Sequence, residues 1–415
     1  MKKKGSILFF ANVIAIITLY IYGSAGGFES AAIQTIIEAW PGETAVAIRM
    51  MLTVPAIVQA VIMVGIGPLF GKYIRYRLAG IIGLALVALG GTVPAFYAPT
   101  WLFVLVCRGV GIGGGAGLLS MRTALLIKSV PHEDRGKWIG IAGACASLLS
   151  MVFMPLSGVL AQLRWNYCFL VNILAFACLV FSVFFLKEPA DEPAEPAAAA
   201  AAEERISGDE TGGHKERPAG TGTAARMNPR VILYVLIVFI TNAIVYSAIS
   251  GLSTIFMENG LGGAGAAGIT TSLYCLAGAT GSLLLKLIQK AFRYQLITIC
   301  SIACGAGILI VTLAPNAIAA TFGMMLTGFN FFPIVSSLQV YNGEDQPPER
   351  LAFSSILIMM GTMTAIFCSN LFILLCGKVL NFRNSEVSSA LLAGSVIFVL
   401  MGIFWAVTQT RRKKA

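Results

Sequence analysis

The sequence predicts an all-α integral membrane protein of twelve transmembrane helices arranged as two six-helix bundles. Three observations carry that prediction: an apolar composition, twelve apolar runs divided six and six, and charge confined to the ends of those runs. Of 415 residues, 57% are hydrophobic and 12% charged, against roughly a quarter charged in a soluble domain. A helix needs about 20 apolar residues to cross the hydrocarbon core of a bilayer, so twelve need about 240. The chain holds that many only if its connections are short, which excludes a second soluble domain.

The first run, 7–30, follows Lys2, Lys3 and Lys4. With the small residues Gly23 to Gly27 it has the outline of a secretory signal peptide. The run continues into Phe28 and many spans follow, so the first helix is expected to stay and to work. The next five runs are 45–70, 78–97, 101–121, 138–160 and 167–186. From Lys187 to Arg230 the chain turns rich in Ala, Glu, Gly and Pro, including the run Ala197 to Ala202, and loses its large apolar side chains. Such a segment cannot bury a core and reads as a disordered linker. Six further runs follow at 231–256, 268–288, 295–314, 317–340, 352–376 and 387–409. The expected division is therefore 1–186 as one bundle, 187–230 as a cytoplasmic linker and 231–415 as the second bundle.

Net charge is +10, from 29 Lys and Arg against 19 Asp and Glu. Because the cations flank apolar runs, they read as topology signals and not as a nucleic-acid surface. With twelve spans, eighteen Lys and Arg fall on the side of the termini and three, Arg164, Lys378 and Arg383, on the other. The positive-inside rule then places both termini and the linker in the cytoplasm. The nine cysteines lie in or beside apolar runs with no CxxC pair, so neither a disulfide framework nor a metal site is expected. His132 and His214 fall in hydrophilic connections, which excludes a histidine relay across the membrane. No Walker loop, HExxH or nucleophile elbow is present, so neither an enzyme nor a cofactor is expected.

The two halves echo each other. Gly67 lies five residues before Lys72, and Gly281 five before Lys286. Arg75-Tyr76-Arg77-Leu78 answers Arg293-Tyr294-Gln295-Leu296, and Pro131-His132-Glu133-Asp134-Arg135 is echoed by Pro347-Pro348-Glu349-Arg350. Internal repeats of this size are common in secondary transporters.

These features resemble the major facilitator superfamily of secondary transporters, over nearly the whole chain except the linker. The family's G-x-x-x-D-R-x-G-R-R loop is matched in part by Gly67, Lys72, Arg75 and Arg77, which makes the three cations candidates for a cytoplasmic gating loop. Gly71 stands where the Asp belongs, so that residue's ion-pair role does not carry over. Arg108 precedes a glycine-rich run through Gly117, like the family's fourth helix. Pro155 and Gly158 match part of the pattern G-x-x-x-G-P-x-x-G-G associated with antiporters, whereas Ser150, Met154 and Val159 replace its other glycines. Trp165 and Phe169 fit W-R-x-x-F, with Asn166 at the Arg position.

Charge inside a span is expensive and therefore informative, at about 2.5–3.5 kcal/mol for an ionised group at the helix centre. Three candidates exist. Arg108 is the deepest and reads either as a substrate ligand or as a structural arginine held by backbone carbonyls. Glu29 is the one carboxylate placed within a span and is the candidate for proton coupling. Arg49 sits at the cavity mouth or snorkels to the interface. Asn242, Tyr246 and Ser250 at i, i+4 and i+8 form a polar stripe on span 7, one of the helices that line the cavity in the family. Asn330, beside Phe331 and Phe332, completes the set of candidate substrate ligands. For both groups, interhelical packing is the alternative.

The resemblance implies a carrier of a small organic solute, expected to be a monomer; two Arg against one Glu within the spans, with Arg108 deepest, point to an organic anion as the solute, and Glu29 to a proton as the coupling ion. It would work by alternating access in the inner membrane of a bacterium. The alternatives are a proton-coupled drug exporter and, from another class, a receptor or enzyme on the same fold.

Overall fold

The computed structural model describes residues 2–23, 25–70, 73–131, 134–188, 228, 230–292, 295–346, 348–380, 382 and 385–414. Twelve helices match the twelve apolar runs, and the chain is a multi-pass membrane protein. They are α1 (Lys2–Tyr22), α2 (Ala45–Ile66), α3 (Tyr76–Phe96), α4 (Trp101–Ser129), α5 (Arg135–Leu163), α6 (Trp165–Phe185), α7 (Arg230–Glu258), α8 (Ala264–Leu283), α9 (Leu296–Leu313), α10 (Ala317–Asp345), α11 (Pro348–Leu380) and α12 (Glu386–Lys414). Ten of them are long and apolar enough to span a bilayer alone. The other two are α1, whose apolar part is Leu8–Tyr22, and α8, which is rich in Gly, Ala, Ser and Thr. The small residues of α8 suit its place, since it packs between α5 and α10. Large apolar side chains such as Leu283 (83% exposed) and Ile318 (81%) face outward, as a bilayer solvent requires.

The first span is not one helix. After Tyr22 the chain passes through short 3-10 turns at Ala25–Gly27 and Ser30–Ala32 before a short helix at Ile33–Ala39. Gly23, Gly26 and Gly27 have low helix propensity, and the break they allow frees backbone carbonyls inside the protein. The run of small residues that resembles a cleavage site is this break.

The glycines of α4 split between two neighbours. A methyl on Gly113 would lie 2.5 Å from the carbonyl oxygen of Pro55, and Gly109 and Gly117 also face α2. Gly111 and Gly115 face α3, where a methyl on either Gly90 or Gly111 would overlap the other's Cα. Fitting a helix between two neighbours at this range coincides with a π-helical stretch, Cys107–Gly113, that interrupts its regular winding.

Buried apolar residues of the described chain form three clusters. One draws on Val13 through Leu186, a second on Ala32 through Phe169, and the third on Tyr234 through Trp405. Helices from the two sides of the linker meet where α5 packs on α8 and α2 on α11. Residues 189–227 and 229, which include most of the expected linker, lie outside the described residues, as do Lys72 and His132.

Candidate functional site

Pro55 stands within α2 and has no N–H, so the carbonyl of Met51, four residues earlier, has no helical donor. Arg108 takes it: its Nε lies 3.3 Å from the Met51 oxygen. The rest of the guanidinium is engaged as well. Nη1 donates to Glu29 Oε1 at 2.9 Å, Nη2 lies 2.9 Å from Glu29 Oε2, and Nη2 also donates to the carbonyl of Gly26 at 2.9 Å. Gly26 has that oxygen to offer because it lies in the broken part of the first span. From α6, Asn172 Nδ2 donates to Glu29 Oε1 at 2.6 Å. Both charged side chains are fully buried, at 0% exposure.

The two residues that the sequence suggests for different tasks are thus one two-pronged ion pair. Its halves come from the broken first span and from the π-helical stretch of α4. An ion pair taken out of water is tolerated only when its remaining donors and acceptors are also met. Here Met51, Gly26 and Asn172 meet most of them, and Glu29 Oε2 has Arg108 alone.

Arg49 is buried too, at 3% exposure, in the seam between α2 and α7. Its Nη2 donates to Thr254 Oγ1 at 3.2 Å, while Nε and Nη1 have no hydrogen-bond partner among the described residues. Thr254 donates in turn to Gln34 Oε1 at 2.8 Å, and the Gln34 N–H donates to Ser253 Oγ at 3.3 Å. Farther along α2, Asn370 of α11 donates to Thr53 Oγ1 at 3.0 Å. These contacts join segments from before and after the linker. They lie at the end of α2 where it begins and the end of α7 where it finishes, the face opposite the chain's N-terminus.

The polar candidates on α7 and α10 turn mostly inward on their own helices. Asn242 donates to the carbonyl of Val238, Ser250 to that of Ser247 and Asn330 to that of Leu326. Tyr246 is half-buried. Phe331 and Phe332 pack on Tyr274 of α8, with ring centroids 6.4 and 6.1 Å away. Arg75 and Arg77 stand at the start of α3 beside Lys187, away from the ion pair, and Lys72 lies outside the described residues.

Four participants escape a reading of charges within spans: Asn172, Gly26, Met51 and Thr254. Asn172 carries a detectable signal as an amide in an apolar run. The two carbonyls announce themselves only through Pro55 and the glycine break.

A family model described as Major Facilitator Superfamily matches residues 6–369. Among solved structures, a crystal structure of a D-xylose-proton symporter aligns over 96% of this chain and 97% of its own, with TM-score 0.68 and 17% identity. A partially occluded, inward-open conformation of the xylose transporter XylE from E. coli aligns over 95% and 96%, with TM-score 0.65 and 14% identity. At these identities the likeness is one of fold. Among curated proteins, the Aspyridones efflux protein of Neocamarosporium betae is 32% identical over 102 residues, 24% of this chain and 18% of that protein. An uncharacterized MFS-type transporter of Bacillus subtilis, YfiU, is 26% identical over 188 residues, 42% of this chain and 34% of its own. The chain thus spans less than a fifth of the first of these curated relatives and about a third of the second.

Proposed function

Because this chain belongs to the major facilitator superfamily of membrane transporters, we propose that it carries a small organic solute by alternating access, coupled to protons through Glu29 and Arg108. The observation that carries this reading is the fully buried pair between the broken first span and α4. Protonating Glu29 removes the counter-charge of Arg108, and the guanidinium then needs another acceptor. A carboxylate fits its planar fork, so an organic anion is the substrate class that the freed Arg108 would hold best. Proton and solute binding are then linked through one side chain, which is what coupling requires. From the second half, Asn242, Tyr246, Ser250 and Asn330 are the proposed polar contacts, which Asn242, Ser250 and Asn330 make by leaving the carbonyls of their own helices.

The bundles are residues 1–186 and 231–415, joined by the linker 187–230, and both termini and the linker lie in the cytoplasm of a cell-membrane monomer. In that orientation the contacts of Arg49, Gln34 and Asn370 close the outer side, and rocking of the bundles opens it.

A second reading is proton-driven export. It is favoured by the Aspyridones efflux protein and by the Rubrofusarin-specific efflux pump aurT of Gibberella zeae, 29% identical over 101 residues. Proteoliposomes with an imposed pH gradient test both, using a panel of carboxylates, sugars, aromatic phenols and cationic drugs. Saturable flux that follows the gradient, and loses that dependence in Glu29→Gln, is the expected result. Flux indifferent to the gradient in the unaltered protein would remove the coupling role of Glu29.

A further inference from the structure

At the end of the membrane domain where α3 begins and α6 finishes, the chain forms a groove of about 510 Å³. Arg75, Arg77 and Lys187 line it together with the apolar Leu78, Ile81 and Phe184. Glu188 also borders the groove, but its carboxylate is committed: Oε1 accepts from the N–H of Tyr76 at 2.7 Å and Oε2 from that of Arg77 at 2.8 Å. The exposed amides at the start of α3 are thereby filled from within the chain. Arg77 donates from Nη2 to the carbonyl of Val183 at 2.9 Å, which holds its guanidinium against α6. Three cations against one engaged carboxylate leave the groove positive. Its apolar wall is left open, with Phe184 75% and Leu78 53% exposed.

We propose that this groove binds one anionic phospholipid, its phosphate between Arg75 and Lys187 and an acyl chain along Leu78, Ile81 and Phe184. A cationic rim above an apolar wall, at the point where two spanning helices reach the interface, matches a charged headgroup joined to hydrocarbon. A free phosphate would satisfy the rim and leave Phe184 bare. The chain that follows Glu188 offers carboxylates at Asp191, Glu192 and Glu195, but its other residues as far as Ala202 are Pro and Ala. It therefore lacks the large apolar side chains needed to cover the wall. Neither Glu29 nor Arg108 lines this groove.

The test is lipid binding to the full-length protein in detergent, read by native mass spectrometry and by the rise in Tm. The probes are dioleoyl phosphatidylglycerol, dioleoyl phosphatidylcholine and inorganic phosphate. Phosphatidylglycerol should bind at about tenfold lower concentration than phosphatidylcholine, and Arg75→Gln/Lys187→Gln should erase that preference. Both substituted side chains are exposed, so Tm without lipid should stay unchanged; Arg75→Glu alone, as a second variant, should weaken the preference in the same direction. An unchanged preference in the variants would overturn the proposal. So would inorganic phosphate raising Tm as much as the lipid, or a lipid preference that appears only after residues 193–222 are removed. The first of those two results makes the groove a free-anion site, and the second makes the linker its occupant.

Discussion

Ser272 of α8 donates its hydroxyl to the carbonyl of Met151 in α5 at 2.8 Å, taking the place of the N–H that Pro155 lacks. Pro155 leaves the carbonyl four residues before it without a helical donor. Gly268, where a methyl would lie 2.5 Å from Pro155 Cα, lets α8 approach closely enough for Ser272 to supply one. The arrangement repeats the relation among Pro55, Met51 and Arg108 between α2 and α4. In both cases a proline opens a carbonyl and a side chain from a neighbouring helix closes it.

Loss of that closure should be measurable. Ser272→Ala leaves the part-buried Met151 carbonyl without its donor, a hydroxyl that also lies 3.0 Å from the Gly268 carbonyl, at a cost near the lower end of about 1–3 kcal/mol. Gly268→Ala pushes a methyl into the Pro155 backbone and should cost more, since neither helix backbone can yield cheaply. Thermal unfolding of the purified proteins should rank them unaltered, Ser272→Ala, Gly268→Ala in falling Tm. The reverse order of the two variants would mean that the seam is looser than the described packing.

The ion pair makes a sharper prediction. Glu29→Ala strands a fully buried guanidinium, and removing one partner of such a pair costs about 3–5 kcal/mol. Adding Arg108→Met to that variant removes the stranded charge and should recover much of the lost stability, so the two substitutions are strongly non-additive. Tm values for the two single variants and the double variant complete the cycle. Additive losses would show that the pair is not energetically joined.

The twelve spans were legible because bilayer thickness imposes a length on every apolar run, whatever packs against it. α8 was legible as a span even with its Gly, Ala and Thr content, because its interruptions are small and uncharged. The break after Tyr22 was not, since a run of small residues reads equally as a processing site, a turn or a packing face. Arg108 and Glu29 stood out as charges within apolar runs. Their pairing did not, because it depends on how the broken first span and α4 are rotated toward each other. Pro55 gives the same lesson: the sequence shows which carbonyl is freed, and only the fold shows that Arg108 reaches it.

Arg49 differs from Arg108 in what surrounds it. Two of its three guanidinium nitrogens have no hydrogen-bond partner among the described residues, so its burial in the seam is costly there. Exchanging a poorly compensated buried ion for an apolar side chain of similar volume is often neutral or stabilising. Arg49→Met should therefore leave Tm unchanged or raise it, even with the bond to Thr254 lost, whereas Arg108→Met should lower it. The carboxylates of Glu386 and Glu258 are the counter-charges that act on Arg49, and a drop of several degrees in Arg49→Met would show that they compensate its burial.

The final prediction concerns the segment between Glu188 and Asn228, two residues that are each held by hydrogen bonds. At its start Glu188 accepts from the first two N–H groups of α3. At its end the Asn228 N–H donates to Gln346 Oε1 at 3.0 Å, and Gln346 Nε2 returns a bond to the Asn228 carbonyl at 3.1 Å. Each anchor holds to helices on its own side of the linker, so the residues between them need only bridge a distance. Removing 193–222 leaves nine residues between Glu188 and Asn228, enough to reach about 30 Å when extended. Tm and solute flux should survive that deletion. Glu188→Ala, which removes a helix cap and shortens nothing, should lower stability by about 1 kcal/mol. The contrast separates tethering from anchoring: a folded deletion protein that no longer transports would show that the removed residues take part in the cycle, and a Glu188→Ala protein with unchanged Tm would show that the cap is dispensable.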